Sequence, residues 1–101
     1  MHYVLFYDVV DNYVERRALL RNQHLALARQ SHERGEMLIA GAFSDPVDGA
    51  MLVFSTQESA DAFAANDPYV LNGLVTKWWV RKWVTVIRPG AEDECMTRSP
   101  T

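Results

Sequence analysis

A six-residue stretch, "SDPVDG" (44–49), divides two short apolar runs near the middle of the chain. Asp-Pro and Asp-Gly favour turns, and the runs beside them, "EMLIAGAF" (36–43) and "AMLVFS" (50–55), have the length and composition of strands. They read as a hairpin, and a central hairpin constrains the order of everything around it. "HYVLFYDV" (2–9) is aromatic and β-branched, as strands are. Asp11 or Asn12 can cap a helix running to about Arg34, which Gly35 ends. Thr56 is the N-cap expected for a second helix, "QESADAFAAN" (57–66), and "LVTKWWVRKWVTVI" (74–87) is a long last strand. The order β-α-β-β-α-β predicts an α+β, ferredoxin-like fold: a four-stranded antiparallel sheet with two helices on one face. It forms a single domain over 1–87, followed by a loose C-terminal tail over 88–101 that contains Pro89, Gly90 and Pro100.

The strand faces predict an assembly. Tyr3, Leu5, Tyr7 and Val9 alternate with His2, Val4, Phe6 and Asp8, so both faces of the first strand are largely apolar. In the last strand Leu74, Trp78, Val80, Val84 and Val86 share one face, and Val75, Trp79, Trp83 and Ile87 share the other. Helices cover only one side of such a sheet. The second side would remain an apolar patch of a size that monomers rarely expose, which favours a homodimer with two sheets paired in a barrel-like core.

Charge and cysteine usage exclude several classes. A net charge of −3 and the lack of a basic patch beyond Arg81-Lys82 and the first-helix arginines argue against nucleic acid. The apolar runs are far shorter than the roughly 18–20 residues of a membrane span, and "MHYVLFYDVV" lacks the pattern of a signal peptide. The single cysteine, Cys95, forms no disulfide framework, and a cytoplasmic address is expected. His2, His24 and His32 have no metal-ligand spacing, and no glycine-rich phosphate loop or nucleophile elbow is present, so neither a metal nor a cofactor is expected.

Chemistry concentrates instead on one histidine. At about 100° per residue, Leu20, Leu27, Ala28 and Ser31 fall within roughly 60° of His24, on the inward stripe of the first helix. Arg29, Glu33 and Asn22 fall on the opposite side. His32 lies near the helix end, where a cation suits the dipole, and His2 opens a strand toward solvent. Asp67, which Pro68 holds out of the α region at the end of the second helix, can approach His24 from the neighbouring helix. A carboxylate on one imidazole nitrogen would fix the tautomer and make His24 a general acid/base. Tyr7, Phe43, Tyr69 and one of Trp78, Trp79 or Trp83 are candidate walls for a planar ring, or equally core and dimer contacts. Arg17, two turns before His24, is placed to attract an anionic ligand or simply to carry surface charge. Ser44 can donate to a substrate hydroxyl or cap the Asp45-Pro46 turn.

Taken together, "YVLFYDV", "RNQHLALARQ", "GEMLIAGAFSDPVDGAMLVF" and "NDPYVLNGLV" resemble the YCII-related family of small dimeric α+β barrel proteins over about residues 1–87. The resemblance implies that His24 and Asp67 form a paired active-site dyad, and it matches the family's glycines to Gly41, Gly49 and Gly73. Ala42-Phe43-Ser44 stands where some members have proline after the "AG". The implied activity is a cofactor-independent lyase reaction: HCl is removed from a chlorinated hydroxyhydroquinone to give a hydroxybenzoquinone, as in chlorophenol catabolism. A non-catalytic dimer that binds a small aromatic, and an isomerase of the related muconolactone isomerase type, are the competing expectations.

Overall fold

The computed structural model describes residues 1–89. Four strands, β1 (His2–Val9), β2 (Met37–Ala42), β3 (Gly49–Phe54) and β4 (Val75–Trp83), form one antiparallel sheet in the order β2-β3-β1-β4. Between them lie the helices α1 (Tyr13–Arg16), α2 (Arg21–Glu33), α3 (Gln57–Asn66) and α4 (Pro68–Leu71), with a 3-10 turn at Arg17–Leu19. This is the ferredoxin-like α+β arrangement expected from the sequence, with the central hairpin formed by β2 and β3. The tail over 90–101, including Cys95, lies outside the described residues.

Leu5, Tyr7, Leu52 and Phe54 on one sheet face pack against Ala60, Phe63 and Ala64 of α3 and Tyr69 of α4, and this is the hydrophobic core. Leu20, Leu27 and Ala28 join it from the α2 side, while Ser31 is buried, as the helical spacing predicts. On the other sheet face Val4 and Val53 are buried, and Phe6 stacks on Trp79 with ring centroids 5.4 Å apart. Ile39 and Trp83 on that side remain exposed.

Three expectations need correction. The first helix is not continuous from residues 11–12 to 34: it breaks into α1, the 3-10 turn and α2, and Asn12 makes no side-chain cap. The break places Arg17 in the 3-10 turn and not in α2. β4 covers Val75–Trp83 rather than 74–87. A register shift between Asp8 and Val9 also turns Val75 inward, so it joins Leu74 in the core instead of sharing the outer face with Trp79. A side-chain period of two cannot anticipate a bulge, because one extra residue exchanges the faces.

Gly49 supplies a test of the hairpin. A Cβ on it would meet the Tyr7 backbone oxygen at 2.5 Å, whereas a Cβ on Gly41 meets nothing within 4 Å. Gly49→Ala should therefore lower stability by about 1–3 kcal/mol through forced separation of β1 and β3. Gly41→Ala should stay within about 0.5 kcal/mol of the parent. Urea unfolding of the two variants beside the parent measures both.

Candidate active site

The site is built around the junction of α3 and α4. α3 starts conventionally, with the Thr56 hydroxyl accepting from the Ser59 amide at 3.1 Å. It ends where Pro68 forces Asp67 into extended backbone (φ −67, ψ 123), which makes Asp67 the N-cap of α4. The Asp67 side chain is completely buried. Oδ1 accepts from the Tyr69 amide at 3.0 Å and from His24 Nδ1 at 2.8 Å, and Oδ2 accepts from the Tyr7 hydroxyl at 2.8 Å. Three donors from three elements hold one buried carboxylate, the condition under which a buried charge is tolerated.

His24 is fixed just as firmly. Its ring lies parallel to Tyr69, with centroids 3.9 Å apart at 8°, and edge-on to Phe63 at 6.0 Å. Because Nδ1 donates to Asp67, Nε2 is left as the proton-accepting atom of the neutral ring. The imidazole keeps 16% of its surface open while Asp67 keeps none. The carboxylate thus holds the ring from behind, and only the imidazole faces outward.

It faces a cavity of about 450 Å³ between α2 and β2. Ala40, Ala42 and Ala50 line the sheet side of the cavity, and their small side chains leave that space unfilled. Tyr7 and Tyr69, both expected from the sequence, line the cavity, and so does Arg17, whose guanidinium sits 5.2 Å from the centre of the Tyr13 ring. Phe43 and Ser44 are exposed and do not line it; the Phe43 amide donates to Gly49 O in the hairpin. Trp78, Trp79 and Trp83 lie outside it as well.

Sequence reasoning missed Arg21 and Arg29, which line the cavity with His32. Angular position puts Arg29 on the far side of the helix from His24, but its long side chain lines the cavity all the same. His32 is exposed as expected, yet its Nδ1 donates to the Met37 carbonyl at 2.7 Å, tying α2 to the start of β2. His2 is only partly exposed and pairs through Nδ1 with the Thr85 hydroxyl at 2.8 Å. No group of three or more metal-ligating side chains occurs among the described residues, and no described helix is long and apolar enough to cross a membrane.

A YCII-related domain model matches residues 1–84. The chain belongs to that family. An uncharacterized protein of Haemophilus influenzae is 33% identical, with 73% of this chain and 87% of the relative aligned. Among solved structures, 5-chloro-2-hydroxyhydroquinone dehydrochlorinase from Burkholderia phenoliruptrix AC1100, in complex with 2,5-dihydroxybenzoquinone, superposes with a TM-score of 0.67 at 17% identity. The match covers 82% of this chain and 93% of that one. A NIPSNAP family protein of Agrobacterium tumefaciens gives 0.54 at 13% identity over 88% and 96% of the two chains. At such identities the likeness is one of fold.

The two buried tyrosines should separate in mutagenesis. Tyr7→Phe removes a donor from a buried carboxylate and should cost about 1–3 kcal/mol. The Tyr69 hydroxyl is buried without a hydrogen bond of ordinary geometry, so Tyr69→Phe should cost less than about 0.5 kcal/mol. Burial, and after it the charge and hydrogen bond of Asp67, push the Tyr7 phenol far above its ordinary value. Burial and then Tyr13 raise Tyr69, against the nearby Arg21 and Arg17 cations. Both raised values favour the folded state fully below pH about 10. That contribution is lost as the pH rises further, because the unfolded chain releases protons that the folded one retains. Urea midpoints measured from pH 8 to 11 should fall at the alkaline end, and less steeply in Tyr7→Phe.

Proposed function

We propose that the protein is a cofactor-independent carbon–halide lyase that removes HCl from a chlorinated hydroxyhydroquinone, with His24 as the acid/base and Asp67 as its orienting partner. The observation that carries this reading is the 2.8 Å His24–Asp67 contact, with the free edge of the imidazole turned to a closed-backed cavity. The resemblance in fold to the Burkholderia dehydrochlorinase supports the choice of reaction.

The chemistry needs only proton movements. His24 Nε2 takes a proton from a ring hydroxyl, and the resulting enolate carbon that bears chlorine takes the proton back from the imidazolium. A second hydroxyl then loses its proton as chloride departs with the C–Cl electron pair. The sum is one hydroxybenzoquinone, one proton and one chloride, with no external oxidant. Asp67 stabilises the imidazolium formed between the steps, and Tyr7 holds Asp67 in place. Arg17 offers its charge to the phenolate, and Tyr69 presents a planar wall. The exposed Ile39 and Trp83 on the uncovered sheet face are the surface through which two copies pair in a homodimer. A cytoplasmic address is part of this reading.

Chloride release and quinone absorbance from anaerobic 5-chloro-2-hydroxyhydroquinone test the reading. Wild type should release stoichiometric chloride, and His24→Ala and Asp67→Asn, checked for folding, should each lose at least about a hundredfold in kcat/KM. Release no faster than the buffer blank would overturn the assignment and leave the isomerase or the binding dimer.

A further inference from the structure

The cavity is larger than a single ring requires, and it is charged along its length. About 150 Å³ suffices to hold benzene in an engineered protein cavity, whereas this cavity measures about 450 Å³. His24 and His32 both line it from α2, eight residues apart, which is about 12 Å along the helix axis at roughly 1.5 Å per residue. Both imidazoles are held through Nδ1, His24 by Asp67 and His32 by the Met37 carbonyl, so each has only Nε2 to offer a ligand. Arg29 precedes His32 by three residues and is its neighbour on the helix surface. No aspartate or glutamate lines the cavity among the described residues, although the whole chain carries a net charge of −3.

We infer that the Arg29–His32 end of the cavity is a second subsite that binds a carboxylate carried on a side arm of the substrate. The ring then occupies the space beside His24, and the acidic arm extends along α2 toward the mouth. Arg29 supplies the permanent charge and a fork of donors that matches a carboxylate. The imidazolium form of His32 donates from Nε2 as well, while Nδ1 keeps the Met37 bond. Leu38 on the facing strand gives the arm an apolar side to lie against. The substrate class implied is a chlorinated hydroxyhydroquinone whose ring carries an alkanoic or similarly extended acid arm. The assignment of ring and arm to their two ends rests on the proposed role of His24.

Binding separates this inference from the reaction. The probes are 2,5-dihydroxyphenylacetate and its neutral amide, titrated anaerobically by calorimetry into wild type, Arg29→Gln, the Arg29→Gln/His32→Gln double variant and Arg17→Gln. The acid should bind wild type at least about tenfold more tightly than the amide, as expected for a charge-assisted pair. Arg29→Gln should remove most of that preference and the double variant all of it, with amide affinity unchanged. Arg17→Gln should keep it. Equal binding of the two probes, no binding of either, or a preference that survives the double variant and disappears in Arg17→Gln overturns the subsite. Chloride release from 5-chloro-2-hydroxyhydroquinone is measured on the same samples. Its absence beside an intact acid preference fails the dehydrochlorinase reading alone, and its presence beside equal probe binding fails the subsite alone.

Discussion

The buried carboxylate of Asp67 is the constraint on which the rest of this structure depends. It ends α3, caps α4, takes the hydroxyl of Tyr7 from β1 and the imidazole of His24 from α2. One side chain therefore ties the helical layer to the sheet at four elements. An unpaired carboxylate at that depth would cost several kcal/mol, so its donors are needed for folding. The same arrangement leaves the imidazole with a single free nitrogen on the only side that is open. A structural need and the geometry of the proposed acid/base are met by one set of hydrogen bonds.

The cavity arises from what the sheet omits. Where β2 and β3 face α2, alanines at 40, 42 and 50 replace the larger residues that fill the rest of the core. α2 cannot close onto them while His32 is bonded to Met37 at one end and His24 to Asp67 at the other. The space is thus bracketed by two polar contacts. Three arginines reach it from the 3-10 turn and α2, giving a cationic lining in a chain of net negative charge. Long guanidinium stems let these residues remain solvated while still facing a ligand.

Much of the site was legible before any coordinates. Helical spacing alone put His24 among Leu20, Leu27 and Ala28, and the Asp-Pro pair alone marked Asp67 as a rigid helix end. Both features are local, governed by residues within two turns of each other. The part played by Tyr7 was not legible, because both faces of β1 are apolar and a tyrosine there reads as packing. Arg21 and Arg29 were missed for a related reason: angular position describes Cα and Cβ, whereas a six-atom side chain ends where its surroundings allow. Phe43 was named for its flat ring and Ser44 for its hydroxyl, and neither lines the cavity, because both sit beyond the end of β2 on the exposed side of the hairpin.

The sequence by itself determined the order of strands and helices, the hairpin at its centre, the inward face of α2 and the family to which the chain belongs, since each follows from short-range periodicity, turn chemistry or motif. Only the tertiary structure decided that Asp67 and His24, 43 positions apart, meet at 2.8 Å, and that Tyr7 completes the contact from a third element. It also decided the bulge that turns Val75 inward and the break that separates Arg17 from α2. The reason is common to all four. Each depends on how elements distant in the chain settle against one another, and the energy that selects the packing is shared among residues whose spacing in sequence carries no record of it.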